Sequence, residues 1–207
     1  MIKLIVFDFD GTLVDTREMI ENVLKDILGK YGYKPADKIF RFLGDSPIEG
    51  FLKHIISDKG NLKKISLEFV LRKNKNYKQA KLIKDILKLK KIKQKKIILS
   101  NNLTFFIKRV LKNLKIDFFD EIYGADKFKN KYDKFKKILE KYNLKPFQVI
   151  YVGDRPVDIL LAKKVGCISV AISHKASWSK KKELLKAEPN FLITNLAKLT
   201  ILLKKYQ

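Results

Sequence analysis

The sequence predicts an α/β fold, a parallel sheet with helices on both faces, interrupted by an all-helical block. Two observations predict it. From about residue 95 onward, short β-branched apolar runs alternate with helical patterns, as a parallel sheet with crossover helices requires. Residues 16 to about 90 carry helical periodicity and no good strand, so they read as a helical insert between the first strand and the second.

The elements follow in order. Lys3 to Phe9 (KLIVFDF) is short, β-branched and bounded by Gly11, which marks a buried strand. In the insert, Ile20, Val23, Leu24, Ile27, Leu28 and Tyr31 form one helical stripe. Ile48, Phe51, Leu52, Ile55 and Ile56 form another, opened by Ser46-Pro47. Leu62 to Leu71 and Ala80 to Leu89 read as further helices, the last a candidate for the first crossover of the sheet. The second strand is Lys96 to Leu99 (KIIL), followed by a helix over Leu103 to Leu114. Tyr132 to Tyr142 places Phe135, Ile138 and Leu139 on one helical face. Val149 to Val152 is a strand, and Pro156 to Val165 a helix with proline at its start and Gly166 at its stop, the usual asymmetry of helix ends. Ile168 to Ile172 and Phe191 to Ile193 complete the strands.

Composition narrows the class. The chain has 207 residues, 46% of them apolar, enough to bury a sizeable core. No apolar run approaches the roughly 20 residues that span a bilayer. The N-terminal run is short, meets Asp8 and lacks a small-residue cleavage site, so it does not read as a signal peptide. The one cysteine, Cys167, lies in an apolar stretch and reads as core filler; a soluble, reducing compartment such as the cytoplasm is expected. Net charge is +24, yet arginine occurs only at 17, 41, 72, 109 and 155. Specific forks to bases and phosphates favour arginine, so the lysine excess is read as a general bias. A basic surface still draws in anions, and a nucleic-acid partner remains an alternative that is not favoured.

Chemistry concentrates at strand ends. The first strand runs into Asp8-Phe9-Asp10-Gly11-Thr12-Leu13-Val14-Asp15-Thr16. Acids two apart at a strand end share a side, and like charges that close call for a shared cation or proton. The strand Val149 to Val152 runs into Gly153-Asp154-Arg155-Pro156-Val157-Asp158. Ligands of parallel sheets bind beyond the carboxyl ends of the strands, where Asp8, Asp10 and Asp154 converge. Oxygen ligands without histidine or cysteine suit Mg²⁺. The strand KIIL ends in Ser100-Asn101-Asn102, a hydroxyl and two amides that could hold a phosphate oxygen or cap a helix.

These motifs resemble the haloacid dehalogenase-like hydrolase superfamily, in its phosphoglycolate phosphatase-like branch with a helical cap. DFDGTLVDT is similar to that family's DxDGT motif, GDRPVD to its GDxxxD motif, and ILSNN to its apolar run ending in Ser or Thr. The resemblance covers essentially the whole chain. It implies a Rossmann-like catalytic core over residues 1–15 and 89–207 and a helical cap over 16–88. It implies a nucleophile at Asp8, an acid and base at Asp10, and Mg²⁺ held by Asp8, the Asp10 carbonyl and Asp154, with Asp158 supporting that shell. Thr12, Ser100 and Asn101 would meet the substrate phosphate.

The branch's lysine motif, Lys-Pro-x-Pro-x-x-Phe, appears here without its prolines as Lys129-Asn130-Lys131-Tyr132-Asp133-Lys134-Phe135. Counting from Phe135 selects Lys129, with Lys127 and Lys131 as rivals. Arg41, in Arg41-Phe42-Leu43-Gly44-Asp45, resembles a cap-loop contact to a substrate anion. His54 and His174 read as non-catalytic, and Trp178 has no functional reading from sequence.

The expected function is therefore a Mg²⁺-dependent phosphatase for a small phosphorylated metabolite, acting through an aspartyl-phosphate as a monomer or homodimer. A phosphomutase of the same fold is the alternative. It is disfavoured because no histidine or lysine of the helical block is evidently set to steer a sugar phosphate. A phosphatase that binds polyanions or nucleic-acid ends is the other. Dehalogenation needs neither Asp10 nor the metal-binding acids, and the chain keeps both.

Overall fold

The computed structural model describes residues 1–206. Six parallel strands form the sheet: β1 (Leu4–Phe7), β4 (Lys95–Leu99), β5 (Glu121–Tyr123), β6 (Val149–Gly153), β7 (Ile168–Ile172) and β8 (Phe191–Ile193). Their spatial order is β5-β4-β1-β6-β7-β8. The chain moves outward from β1 through β4 to β5, then returns to the other flank of β1 at β6. The carboxyl end of β1 thus lies where the order reverses, the usual ligand position of open α/β sheets.

β1 is buried along its whole length, and its alternation sorts its neighbours. Leu4 and Val6 face one cluster with Val149, Tyr151 and Phe135, the last from helix α5 (Lys131–Lys141). Ile5 and Phe7 face the other with Ile98, Phe106 and Val110, the latter two from helix α4 (Thr104–Asn113). A strand buried on both faces needs an apolar run rather than an alternating one, which is why LIVF suffices. Helix α6 (Pro156–Val165) has Pro156 at its start and ends at Gly166, whose φ of 84° permits the left-handed stop. Cys167 is buried, as expected of core filler. Two short helices, α7 (Lys181–Lys186) and α8 (Ala197–Lys204), follow β7 and β8.

The insert contains helices α1 (Arg17–Lys30), α2 (Ile48–Leu52) and α3 (Lys59–Lys75). The α1 stripe is buried from Ile20 to Leu28, and it shares one apolar cluster with the α4 face of the sheet. The expected helix over Ala80 to Leu89 does not form. Lys81–Leu82 is instead strand β3, antiparallel to β2 (Val14–Asp15), with Val14 opposite Leu82. A 3₁₀ turn then covers Ile86–Lys91. Ile83, Ile86 and Leu89 are buried, so the three-residue repeat of a 3₁₀ turn satisfies the spacing that suggested an α-helix. The two crossings into and out of the insert thus run side by side as a ribbon. β5 was also absent from the expectation; its three residues are only half-buried at the sheet edge and give a weak signal. Among the described residues, no helix is long and apolar enough to cross a membrane.

Candidate active site

Three adjacent strands, β4, β1 and β6, deliver the candidate residues to one edge of the sheet. Leu4 and Val6 face α5, and Asp8 continues that alternation beyond the strand. It meets Lys131, the first residue of α5. Lys131 Nζ donates to Asp8 Oδ1 at 2.8 Å and to Asp158 Oδ1 at 3.3 Å. Asp158 lies in the first turn of α6, and its Oδ1 also accepts from the Tyr151 hydroxyl at 3.0 Å. Its Oδ2 accepts from the Arg155 backbone N–H at 3.2 Å.

Asp154 is fully buried, at 0% exposure. Both its oxygens are oriented: Oδ1 accepts from the Thr12 hydroxyl at 3.1 Å, and Oδ2 from the Trp178 backbone N–H at 2.6 Å. Oxygens of Asp8, Asp154 and Asp158 lie within 4.8 Å of one another. Burial raises the Asp8 carboxyl to about 7; Lys131 opposes the rise and Asp158 adds to it. Burial, then Asp158 and Asp8, push Asp154 well above the usual carboxylate range. Burial works against the Lys131 charge, but Asp8 and Asp158 outweigh it and hold the ammonium above its ordinary value. Lys131 bonds two of these three carboxylates, all hard oxygen donors, and this donor set fits a divalent cation.

The turn after β1 sets Asp10. Thr12, Leu13 and Val14 all donate backbone N–H groups to the Phe9 carbonyl, which closes the chain tightly around Gly11. Gly11 has φ 73°, and a Cβ there would collide with the Asp154 carboxylate and the Trp178 ring. Asp10 Oδ1 accepts from the Thr16 hydroxyl at 2.6 Å, and Oδ2 from Asn102 Nδ2 at 2.7 Å. Ser100 is buried, with Oγ accepting from the Asn102 backbone N–H at 3.2 Å. A pocket between the insert and these strand ends is lined by Asp8, Asp10, Lys73, Ser100, Asn101 and Trp178.

Four sequence expectations change here. Lys129 is exposed, and Lys131 makes the ion pair with Asp8 instead. The reason is helical geometry. Lys131 lies one turn before Phe135 and shares its sheet-facing side, whereas Lys129 precedes the helix, which Asn130 caps by accepting from the Asp133 N–H. Thr12 is fully buried, donates to Asp154 and does not line the pocket. Arg41 is exposed, its guanidinium 4.5 Å from the Phe42 ring centroid, and it does not line the pocket. The arginine at that pocket is Arg155, which donates to the carbonyls of Arg41 and Leu43 and pairs with Asp45 at 2.8 Å. Asn101 donates to the carbonyls of Gly44 and Asp45 at 3.1 and 3.2 Å. Asn101 lines the pocket, but its amide and Arg155 pin the insert loop 41–45 to the sheet domain.

Two contributors, Arg155 and Lys73, escaped the sequence reading, and Asn102, read there as a phosphate contact or a helix cap, bonds Asp10 instead. Asn102 and Arg155 sit inside motifs already singled out. Lys73 lies beyond the helical stretch read as Leu62 to Leu71, among many other lysines. Its Nζ is buried, donates to Asn102 Oδ1, and burial lowers its pKa to about 8 against the pull of Asp10. The helical block therefore does send a lysine toward the site, and the sequence argument against a phosphomutase loses its footing. The Thr12 contact carries a prediction. Thr12→Val keeps the shape but removes the donor to Asp154, and losses of this kind weaken metal binding roughly 10- to 100-fold. A divalent cation titrated against Thr12→Val should bind correspondingly more weakly than to the wild type.

The chain also resembles known proteins in sequence and fold. Residues 5–172 match the haloacid dehalogenase-like hydrolase family profile. A relative in Caldanaerobacter subterraneus subsp. tengcongensis, bearing the name pyrophosphatase PpaX, is 30% identical over 98% of this chain and 95% of its own. A phosphoglycolate phosphatase of Aquifex aeolicus is 29% identical over 79% of this chain and 81% of its own. A solved structure of a haloacid dehalogenase-like family hydrolase from Streptococcus pneumoniae superposes with a TM-score of 0.84 at 27% identity, covering 100% of this chain and 99% of that one.

Proposed function

The chain belongs to the haloacid dehalogenase-like hydrolase family and is a phosphoric monoester hydrolase, and from that premise we propose a Mg²⁺-dependent phosphatase that passes the phosphoryl group of a small phosphate monoester through Asp8. The single observation that carries this reading is the Lys131–Asp8–Asp158 ion-pair cluster beside Asp154 at the end of β1.

Asp8 attacks phosphorus, and the bond to the leaving oxygen breaks. Asp10 gives that oxygen its proton. In the second step Asp10 takes a proton from water as the water oxygen attacks the aspartyl-phosphate; phosphate leaves and the Asp8 carboxylate returns. Splitting one hard displacement into two is the gain of covalent catalysis. Lys131 offsets the repulsion between carboxylate and phosphate. Ser100, with neighbouring backbone N–H groups, is placed to hold phosphoryl oxygens. Asp8, Asp154 and the Asp10 carbonyl would hold the ion, with Asp158 behind them. A bound Mg²⁺ would neutralise charge on the phosphoryl group and orient it.

The relatives' names support a small substrate, and the buried Cys167 thiol fits a reducing, cytoplasmic setting. A phosphomutase is the second reading, kept open by one observation, an insert lysine, Lys73, lining the pocket. Hydrolysis of p-nitrophenyl phosphate tests the first. Turnover should require added Mg²⁺, vanish in EDTA and return when Mg²⁺ is restored. Turnover that persists in EDTA would overturn the metal-dependent mechanism. Phosphoryl transfer to a sugar phosphate in preference to water would select the mutase.

A further inference from the structure

Lys73 is the one buried cation that the insert contributes to the pocket, and the mechanism above does not use it. It sits in the last turn of α3, 6% exposed. Its ammonium lies 5.3 Å from the ring centroid of Phe69, on its own helix, and 4.7 Å from that of Phe106, on α4. Its hydrogen bond goes to Asn102 Oδ1. An ammonium has only donors, so it can face only the oxygen of an amide. That fixes the Asn102 side chain one way round and turns its NH₂ onto Asp10 Oδ2, at 2.7 Å. Reversed, the amide would turn its oxygen to Asp10, and this hydrogen bond would be lost.

We propose that Lys73 is a positioning residue that sets the Asn102 amide and, through it, fixes the place of the Asp10 side chain for the second step. The proposal rests on the phosphatase reading above and deepens it. In that step water loses its proton to Asp10, its oxygen bonds phosphorus, and the bond to Asp8 breaks. Lys73 comes from the insert, and Asn102 and Asp10 from strand ends of the sheet, so the chain of hydrogen bonds bridges the two.

The test uses p-nitrophenyl phosphate, whose leaving group needs little help from an acid, so that kcat/KM reports phosphorylation of Asp8 and kcat the hydrolysis that follows. Lys73→Met retains the apolar stem between the two rings. Its kcat should fall roughly 10- to 100-fold, the worth of one hydrogen bond to a charged group. KM should fall in step, leaving kcat/KM within about threefold, and a burst of p-nitrophenol should precede the slow steady state. Asn102→Ala should reproduce the pattern, which guards against a folding defect in the first variant. Equal losses in kcat and kcat/KM without a burst, or unchanged kcat in both variants, would overturn the proposal. Asp8→Asn run alongside separates the two levels: activity surviving there would sink the nucleophile assignment itself, whatever Lys73 does.

Discussion

Asp8→Asn is expected to lower turnover of p-nitrophenyl phosphate by roughly 10⁴-fold or more, the scale seen when a covalent nucleophile is removed. The amide has the shape of the carboxylate and no competent oxygen nucleophile. Stability should hold or improve. Asp8 shares a buried site with Asp154 and Asp158, and burial and Asp158 already lift its carboxyl against the pull of Lys131. Replacing it with a neutral group relieves like-charge repulsion and removes a desolvation cost. Lys131 retains Asp158 at 3.3 Å. The check is a pair of measurements: steady-state hydrolysis, and thermal unfolding in metal-free buffer. A variant that melts at or above the wild-type temperature with no turnover supports the assignment. One that keeps even a few per cent of the wild-type rate would exclude Asp8 as the nucleophile.

What the sequence made legible, and what it did not, follows from the range of each interaction. β1 and β6 are buried on both faces, so their apolar runs announce them, and the acids that follow are placed by strand alternation alone. Asp8, Asp10 and Asp154 needed nothing else; Asp158 lies in the first turn of α6, and its role came only with the family resemblance. The ribbon of β2 and β3 is different. Each strand has two residues, and Lys81 and Leu82 are exposed, so the pairing leaves no periodic trace. Arg155 and Asn102 lie inside recognised motifs, yet their side chains act on partners more than 90 residues away. Local spacing carries no such information. Arg41 shows the converse: its neighbourhood was the right one, but the loop offers backbone carbonyls to Arg155 rather than its own guanidinium to a ligand.

Lys131→Met and Lys129→Met together form the second decisive experiment. Lys131 is the only lysine bonded to Asp8 among the described residues, and its side chain is 14% exposed. Removing it leaves Asp8 and Asp158 without a countercharge at the moment a phosphate dianion must approach. Loss of one such electrostatic group costs about 10²–10³-fold in kcat, and that loss is expected here. Breaking a buried pair from one side also destabilises, by about 3–5 kcal/mol where the remaining charge stays unpaired. Added Mg²⁺ should recover part of that stability, because the stranded carboxylates are the ones proposed to hold it. Lys129→Met should match the wild type in kcat, KM and melting temperature, since its exposed ammonium has water for a partner. The opposite pattern, with Lys129→Met inactive and Lys131→Met active, would restore the motif count from Phe135. It would also mean that α5 begins elsewhere in the working enzyme. Helical geometry argues against that: Phe135 packs on Tyr151 with centroids 5.4 Å apart. A residue one turn earlier on the same face must then point at the end of β1, where Asp8 is.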